Sequence, residues 1–95
     1  MIKVKSFTFN PFQENTYVLY DESKSCIIVD PGCYESTEKD ELKHFISSES
    51  LVVKKLINTH CHIDHVLGNK FIMDTYGVEL YIHKNDMETL RAVAT

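Results

Sequence analysis

Long apolar runs are missing from this sequence. The longest span only a few residues, too short for any segment to cross a bilayer. Basic clusters are missing as well: lysine and arginine are scattered, the net charge is −4, and no aromatic ladder accompanies them, so the footprint of a nucleic-acid binder is absent. The opening residues Met1-Ile2-Lys3-Val4-Lys5 alternate polar and apolar and lack the apolar core of a signal peptide. Cysteine is scarce and odd in number. Cys26, Cys33 and Cys61 offer no paired framework, which fits reduced thiols in a reducing compartment. These absences point to a cytoplasmic protein with no membrane and no nucleic-acid partner. Internal repeats and low-complexity stretches are absent too. What is present is ordinary for a folded chain: 43% hydrophobic and 25% charged residues, which argues against disorder. A length of 95 residues fits one small domain or a piece of a larger one.

The first thirty residues read as β-structure. Residues 2–9 alternate, with a phase slip near Ser6 that suggests a bulge, and Asn10-Pro11 breaks the run. Residues 16–20 and 25–29 form two short strands across a polar turn at 21–24, the pattern of a hairpin. Asp30-Pro31-Gly32 ends the third strand with turn chemistry. A helix is expected over 37–47, capped by Thr37, with acidic residues in its first turn and Leu42, Phe45 and Ile46 as its apolar stripe. Residues 51–58 read as a strand apolar enough to be buried on both faces. A second helix is expected over 65–76, with Ile72, Met73 and Tyr76 inward and Gly77 just past its end. A fifth strand over 78–83 follows, then a third helix opened by Asn85 and Glu88, with Met87, Leu90 and Val93 as its stripe. An antiparallel start followed by alternating strands and helices predicts an α/β layered domain. The last helix stops at Thr95 with its apolar stripe still in progress, so the sequence is expected to be a single domain over 1–95 that forms the N-terminal part of a longer one.

The densest chemistry lies in His60-Cys61-His62-Ile63-Asp64-His65. Imidazole and carboxylate are ligands that suit zinc, iron or manganese, and this segment carries four such groups in six residues. In an extended segment His60 and His62 share a side, with Cα atoms roughly 6.5–7 Å apart, close enough for both imidazoles to meet one ion. Asp64 can cap the following helix while His65 sits in its first turn, where the helix N-terminus favours a carboxylate. One metal at His60 and His62 and a second at Asp64 and His65 is the natural geometric reading. Two metals about 3.5–4 Å apart would clamp a hydroxide of lowered pKa. Cys61 and Ile63 would face the fold. A structural zinc site that recruits Cys61 or Cys33 is the competing reading, although no C-x-x-C pair supports it.

The pattern His60-x-His62-x-Asp64-His65 resembles the H-x-H-x-D-H signature of the metallo-β-lactamase superfamily. Its surroundings resemble the glyoxalase II-like (hydroxyacylglutathione hydrolase-like) branch: Asn10-Pro11-Phe12-Gln13-Glu14-Asn15-Thr16-Tyr17 resembles the opening segment of that branch. Ile27-Ile28-Val29-Asp30-Pro31-Gly32 resembles its strand-to-loop element, and Ile57-Asn58-Thr59-His60 its lead into the metal loop. The resemblance implies an αββα sandwich and metal-dependent hydrolysis of thioesters or other acyl substrates by a metal-bound hydroxide. It implies two divalent ions, Zn2+ first with Fe or Mn as alternatives. His60 and His62 would be ligands of one, Asp64 and His65 of the other, and Asp64 would also orient the hydroxide. Asp30 would brace the loop through hydrogen bonds, its alternative being a simple turn-former. The chain departs from many relatives in carrying Leu67-Gly68 where they have Gly-Gly, and the remaining ligands of the family would lie downstream. His83 and Asp86 follow too soon to fill that role; His83 reads as a strand-end residue and His44 as a solvated one. A small-molecule substrate is therefore expected, with its binding groups unknown. Two other readings stay open: a non-catalytic fragment that pairs with a second copy as a homodimer, and an iron-dependent oxygenase or redox member of the superfamily.

Overall fold

The structure is a computed structural model that describes residues 2–10, 14–59 and 68–82. Its elements run β1 (Lys3–Phe9), β2 (Glu14–Tyr20), β3 (Ser25–Val29), α1 (Ser36–Ser48), β4 (Val52–Asn58), α2 (Asn69–Tyr76) and β5 (Leu80–Ile82). The strands form one sheet in the order β1-β2-β3-β4-β5. β1–β2 and β2–β3 are antiparallel, the latter across the expected turn at 21–24, while β3–β4 and β4–β5 are parallel, joined by α1 and α2. That mixed order is what an antiparallel start followed by helical crossovers must give.

Both helices share one core with one face of the sheet. Phe7, Phe9, Val18, Ile28 and Leu56 pack with Leu42 and Ile46 of α1 and Ile72 of α2. Phe45, Met73 and Tyr76 add partly buried area to that core. The opposite sheet face carries Val4, Tyr17, Leu19, Ile27, Val29, Ile57 and Tyr81, none of which is fully buried. Val4 is 60% and Tyr81 46% exposed, so these apolar side chains, which share the face with Ser6, Thr8 and Lys55, are uncovered among the described residues.

Three expectations are corrected. The register of β1 against β2 is unbroken from Lys3↔Tyr20 to Phe9↔Glu14, so Ser6 marks no bulge; the apparent slip arises because Val4 sits on the open face and Phe7 and Phe9 on the helix face. The sheet irregularity lies instead between Cys26 and Ile27, where β3 meets β4. β4 is not buried on both faces: Val53, Leu56 and Asn58 are buried, but Val52, Lys54 and Lys55 are exposed. α1 is capped by Glu35 rather than Thr37, because the Glu38 carboxylate, one turn on, accepts the Glu35 N–H at 3.0 Å. α2 is described from Asn69, with Gly68 at its N-cap; the earlier start expected at His65 lies outside the described residues. Its end is as read: Gly77 takes the left-handed conformation at φ 65° and donates its N–H to Met73 O at 2.9 Å. The third helix expected after Asn85, with His83 and Asp86, also lies outside the described residues.

Candidate metal centre

The candidate ligands His60, His62, Asp64 and His65, together with Cys61, lie outside the described residues, but the segments that hold their loop on either side are described. Parallel strands β3 and β4 end side by side, and in α/β sheets the carboxyl ends of parallel strands are where ligands gather. β3 runs into Asp30, whose backbone turns to φ 53°, a left-handed conformation that aspartate tolerates. Asp30 donates its N–H to the Ile57 carbonyl at 2.9 Å, which carries the ladder one residue past the strand. The turn then aims the Asp30 side chain across to β4. One carboxylate oxygen accepts the Thr59 N–H at 2.7 Å, and the other accepts the Thr59 hydroxyl. Thr59 immediately precedes His60, so Asp30 ties down the residue from which the loop departs.

The turn is itself held from behind. Buried Thr16 Oγ1 lies 2.8 Å from the Asp30 carbonyl and 3.0 Å from Glu14 Oε2, and its single proton serves one of these acceptors at a time. The same oxygen accepts the Gly32 N–H at 2.9 Å. Glu38, from the first turn of α1, gathers the rest of the connection: its carboxylate accepts N–H groups of Asn10 at 2.6 Å, Tyr34 at 2.9 Å and Glu35 at 3.0 Å. Partial burial pushes the Glu38 carboxyl up, but these three backbone donors outweigh it and hold the group below its usual range. Asn10 Nδ2 adds a bond to the Gly32 carbonyl at 3.0 Å.

On the far side of the loop, Gly68 donates its N–H to the Pro31 carbonyl at 2.7 Å. A Cβ at Gly68 would lie 2.5 Å from Cys33 Sγ and 2.7 Å from Pro31 O. Glycine is therefore required here by space, whatever residue stands at 67. Cys33 and Cys26 are buried packing groups, and burial pushes their thiols up to about 12 and about 11. Among the described residues no three His, Cys, Asp or Glu side chains converge as a metal site. His44 is exposed on α1, as the sequence suggested.

The residues that flank segment 60–67 are thus anchored, Thr59 by Asp30 and Gly68 by Pro31, adjacent residues of one turn. Residues 9–94, which include the whole of that loop and both anchors, match the model of the metallo-beta-lactamase superfamily. The chain belongs to that superfamily. A hydroxyacylglutathione hydrolase, GloC, of Haemophilus influenzae is 34% identical over 70 residues, covering 74% of this chain and 31% of the relative. Among solved structures, the BLEG-1 B3 metallo-beta-lactamase superposes with a TM-score of 0.81 at 29% identity, covering 90% of this chain and 39% of that one. TTHA1623 in a di-iron-bound form superposes with a TM-score of 0.77 at 25% identity, covering 94% and 42%. The chain therefore spans less than half the length of these superfamily members. The five-stranded sheet with helices on one face is the N-terminal α/β portion of the metallo-beta-lactamase fold.

Sequence reasoning singled out Asp30, which the structure bonds to Thr59, but did not single out Thr16, Glu38, Asn58 and Asn69 around the segments that flank the motif. Asn58 carried a readable signal, since a polar residue at a buried position of a strand needs a partner. Thr16 and Glu38 were harder to read, because part of their role lies in backbone partners distant in sequence: the Asp30 carbonyl and Gly32 N–H for Thr16, and the Asn10 N–H for Glu38.

Proposed function

We propose that His60, His62, Asp64 and His65 hold two divalent metal ions, Zn2+ first and Fe or Mn as alternatives, and that the site serves hydrolysis of thioester or other acyl substrates. The observation that carries the reading is the double anchorage of loop 60–67, at Thr59 by the Asp30 carboxylate and at Gly68 by Pro31, around a motif whose donors are three imidazoles and one carboxylate. That donor set fits divalent transition metals. Bound there, such metals supply a water of lowered pKa and an electrophile for the substrate carbonyl. The chain's own part is to present the four donors, Asp64 also orienting the reacting water, and Asp30 acts behind them by fixing Thr59. The name of the Haemophilus relative supports an acyl thioester substrate, and the di-iron form of TTHA1623 keeps iron among the metals to test.

Purified protein, equilibrated separately with Zn2+, Fe2+ and Mn2+ and then desalted, is expected to retain metal by elemental analysis. A His60→Ala/His62→Ala variant is expected to lose at least half of it. Equal retention by the two proteins, or none by either, would sink the reading. Thioester hydrolysis by the metal-loaded chain then separates a working hydrolase from the non-catalytic alternative, and oxygen uptake separates the iron-dependent oxygenase.

A second reading has its own observation, the open apolar face around Val4, Leu19, Ile27 and Tyr81. We infer that a second copy of this chain covers it as a homodimer, since exposed apolar side chains grouped on one sheet face are costly to leave in water. Sedimentation velocity should show a concentration-dependent shift from monomer to dimer. Val4→Lys should move that shift to higher concentration, and a monomer at every concentration would end the idea.

A further inference from the structure

Asn58 is the last residue of β4, and Asn69 is the first of α2. They stand on opposite sides of loop 60–67 and meet side chain to side chain. Asn58 Nδ2 donates to Asn69 Oδ1 at 3.2 Å, and Asn69 Nδ2 donates to Asn58 Oδ1 at 2.7 Å. Both residues are buried, at 3% and 6% exposure. Position 58 shares the helix-facing side of β4 with Val53 and Leu56, so a leucine there would serve the core as well. Burying two amides instead brings little net stability, because their mutual bonds mainly offset lost hydration. What the pair gives is geometry. A reciprocal amide pair fixes distance and orientation together, where two leucines would tolerate sliding.

We infer that Asn58 and Asn69 are positioning residues for the metal centre: a clasp that sets the separation of the two ends of loop 60–67 before metal arrives. The inference rests on the metal-centre reading above. The other two anchors both pass through the Asp30-Pro31 turn, Thr59 by way of the Asp30 carboxylate and Gly68 by way of the Pro31 carbonyl. The amide pair is a direct tie between β4 and α2 that bypasses that turn. With Asn58 and Asn69 fixed to each other, the residues that flank the motif are already placed, and metal binding need not bring them together.

The test uses the whole chain with Asn58→Leu, Asn69→Leu and the double variant. Three measurements are made on each: thermal melting of the metal-free protein, Zn2+ affinity by competition with a chromophoric chelator, and the visible spectrum with Co2+. Each single variant should melt lower, because it leaves one buried amide without its partner. The double variant should recover most of that loss, because both polar partners are gone. Zn2+ affinity should not recover with it. It should stay about 10–100-fold weaker in all three variants, the range seen when groups behind metal ligands are removed, and the Co2+ absorption should change in intensity. Affinity that returns to the parent value in the double variant would overturn the proposal, since the pair would then act only through stability. So would a double variant that fails to fold. A parent chain that binds neither Zn2+ nor Co2+ would instead overturn the metal-centre reading itself, a result distinguishable from every failure of the clasp.

Discussion

Gly68→Ala is expected to destabilise the protein by about 3 kcal/mol, the upper part of the usual range for forcing one carbon into a packed site. The added Cβ would meet Cys33 Sγ at 2.5 Å, Pro31 O at 2.7 Å and Cys33 O at 3.2 Å. Two of these three atoms are backbone, in a connection pinned by Thr16, Asn10 and Glu38, so the strain cannot be relieved by turning a side chain. Pro31 O is also the acceptor of the Gly68 N–H, and moving it away releases the anchor on the far side of the loop. Urea unfolding should show a lowered midpoint with an unchanged slope. Adding Cys33→Ala should return only part of the loss, because it clears the sulfur and leaves the Pro31 carbonyl in place. Full rescue by Cys33→Ala would show that the backbone contact does not matter. Gly77→Ala is the useful contrast. A Cβ there meets nothing within 4 Å, but φ is 65°, so the cost should be only about 1 kcal/mol of conformational strain.

Asp30→Ala is expected to cost about 4 kcal/mol and to weaken metal binding with it. Two hydrogen bonds from Thr59 to a charged acceptor are lost, each worth about 1.5–3 kcal/mol, and alanine is strained by about 1–2 kcal/mol at a left-handed φ of 53°. These terms overlap, since the turn relaxes once its bonds are gone. Asp30→Gly separates them: glycine accepts the turn without strain but returns neither bond, so about 3 kcal/mol should remain lost. Asp30→Asn should cost about 1 kcal/mol, because the amide tolerates the conformation, still accepts the Thr59 N–H, and can donate to the Thr59 hydroxyl. If glycine proved as stable as aspartate in chemical unfolding, Asp30 would be a turn-former and nothing more. The same three variants, titrated with Zn2+, should rank in the same order in affinity.

The legibility of these two positions differs for a physical reason. Asp30-Pro31-Gly32 announces a turn because local chemistry makes one, and the sequence could be read that far. That the turn is left-handed, and therefore throws the carboxylate onto Thr59 across the strand pair, depends on the pairing of β3 with β4. Gly68 looks in sequence like half of a missing Gly-Gly pair. In the fold it is the residue that lets the start of α2 touch the Pro31 carbonyl. Capping of α1 was misplaced by two residues because Thr37 is a sound local choice, yet Glu38 bonds Asn10 and Tyr34 as well and so pulls the cap to Glu35. The supposed bulge at Ser6 failed for a similar reason. Periodicity assumes one apolar face per strand, whereas β1 places Phe7 and Phe9 under the helices and Val4 on the open face.

The sequence by itself determined the order of the described elements, the hairpin at 21–24, the glycine stop at 77 and the donor-rich motif from His60 to His65. Each rests on local chemistry: alternation, turn residues, a left-handed cap, and the ligand character of imidazole and carboxylate. Only the tertiary structure decided how that motif is held. Thr16, Glu38, Asp30, Gly68 and the Asn58–Asn69 pair come together through contacts far apart in sequence, the longest being those from Asp30 to Thr59 and from Pro31 to Gly68. Hydrogen bonds and close contacts at that range depend on strand register and helix placement, which the sequence specifies only collectively.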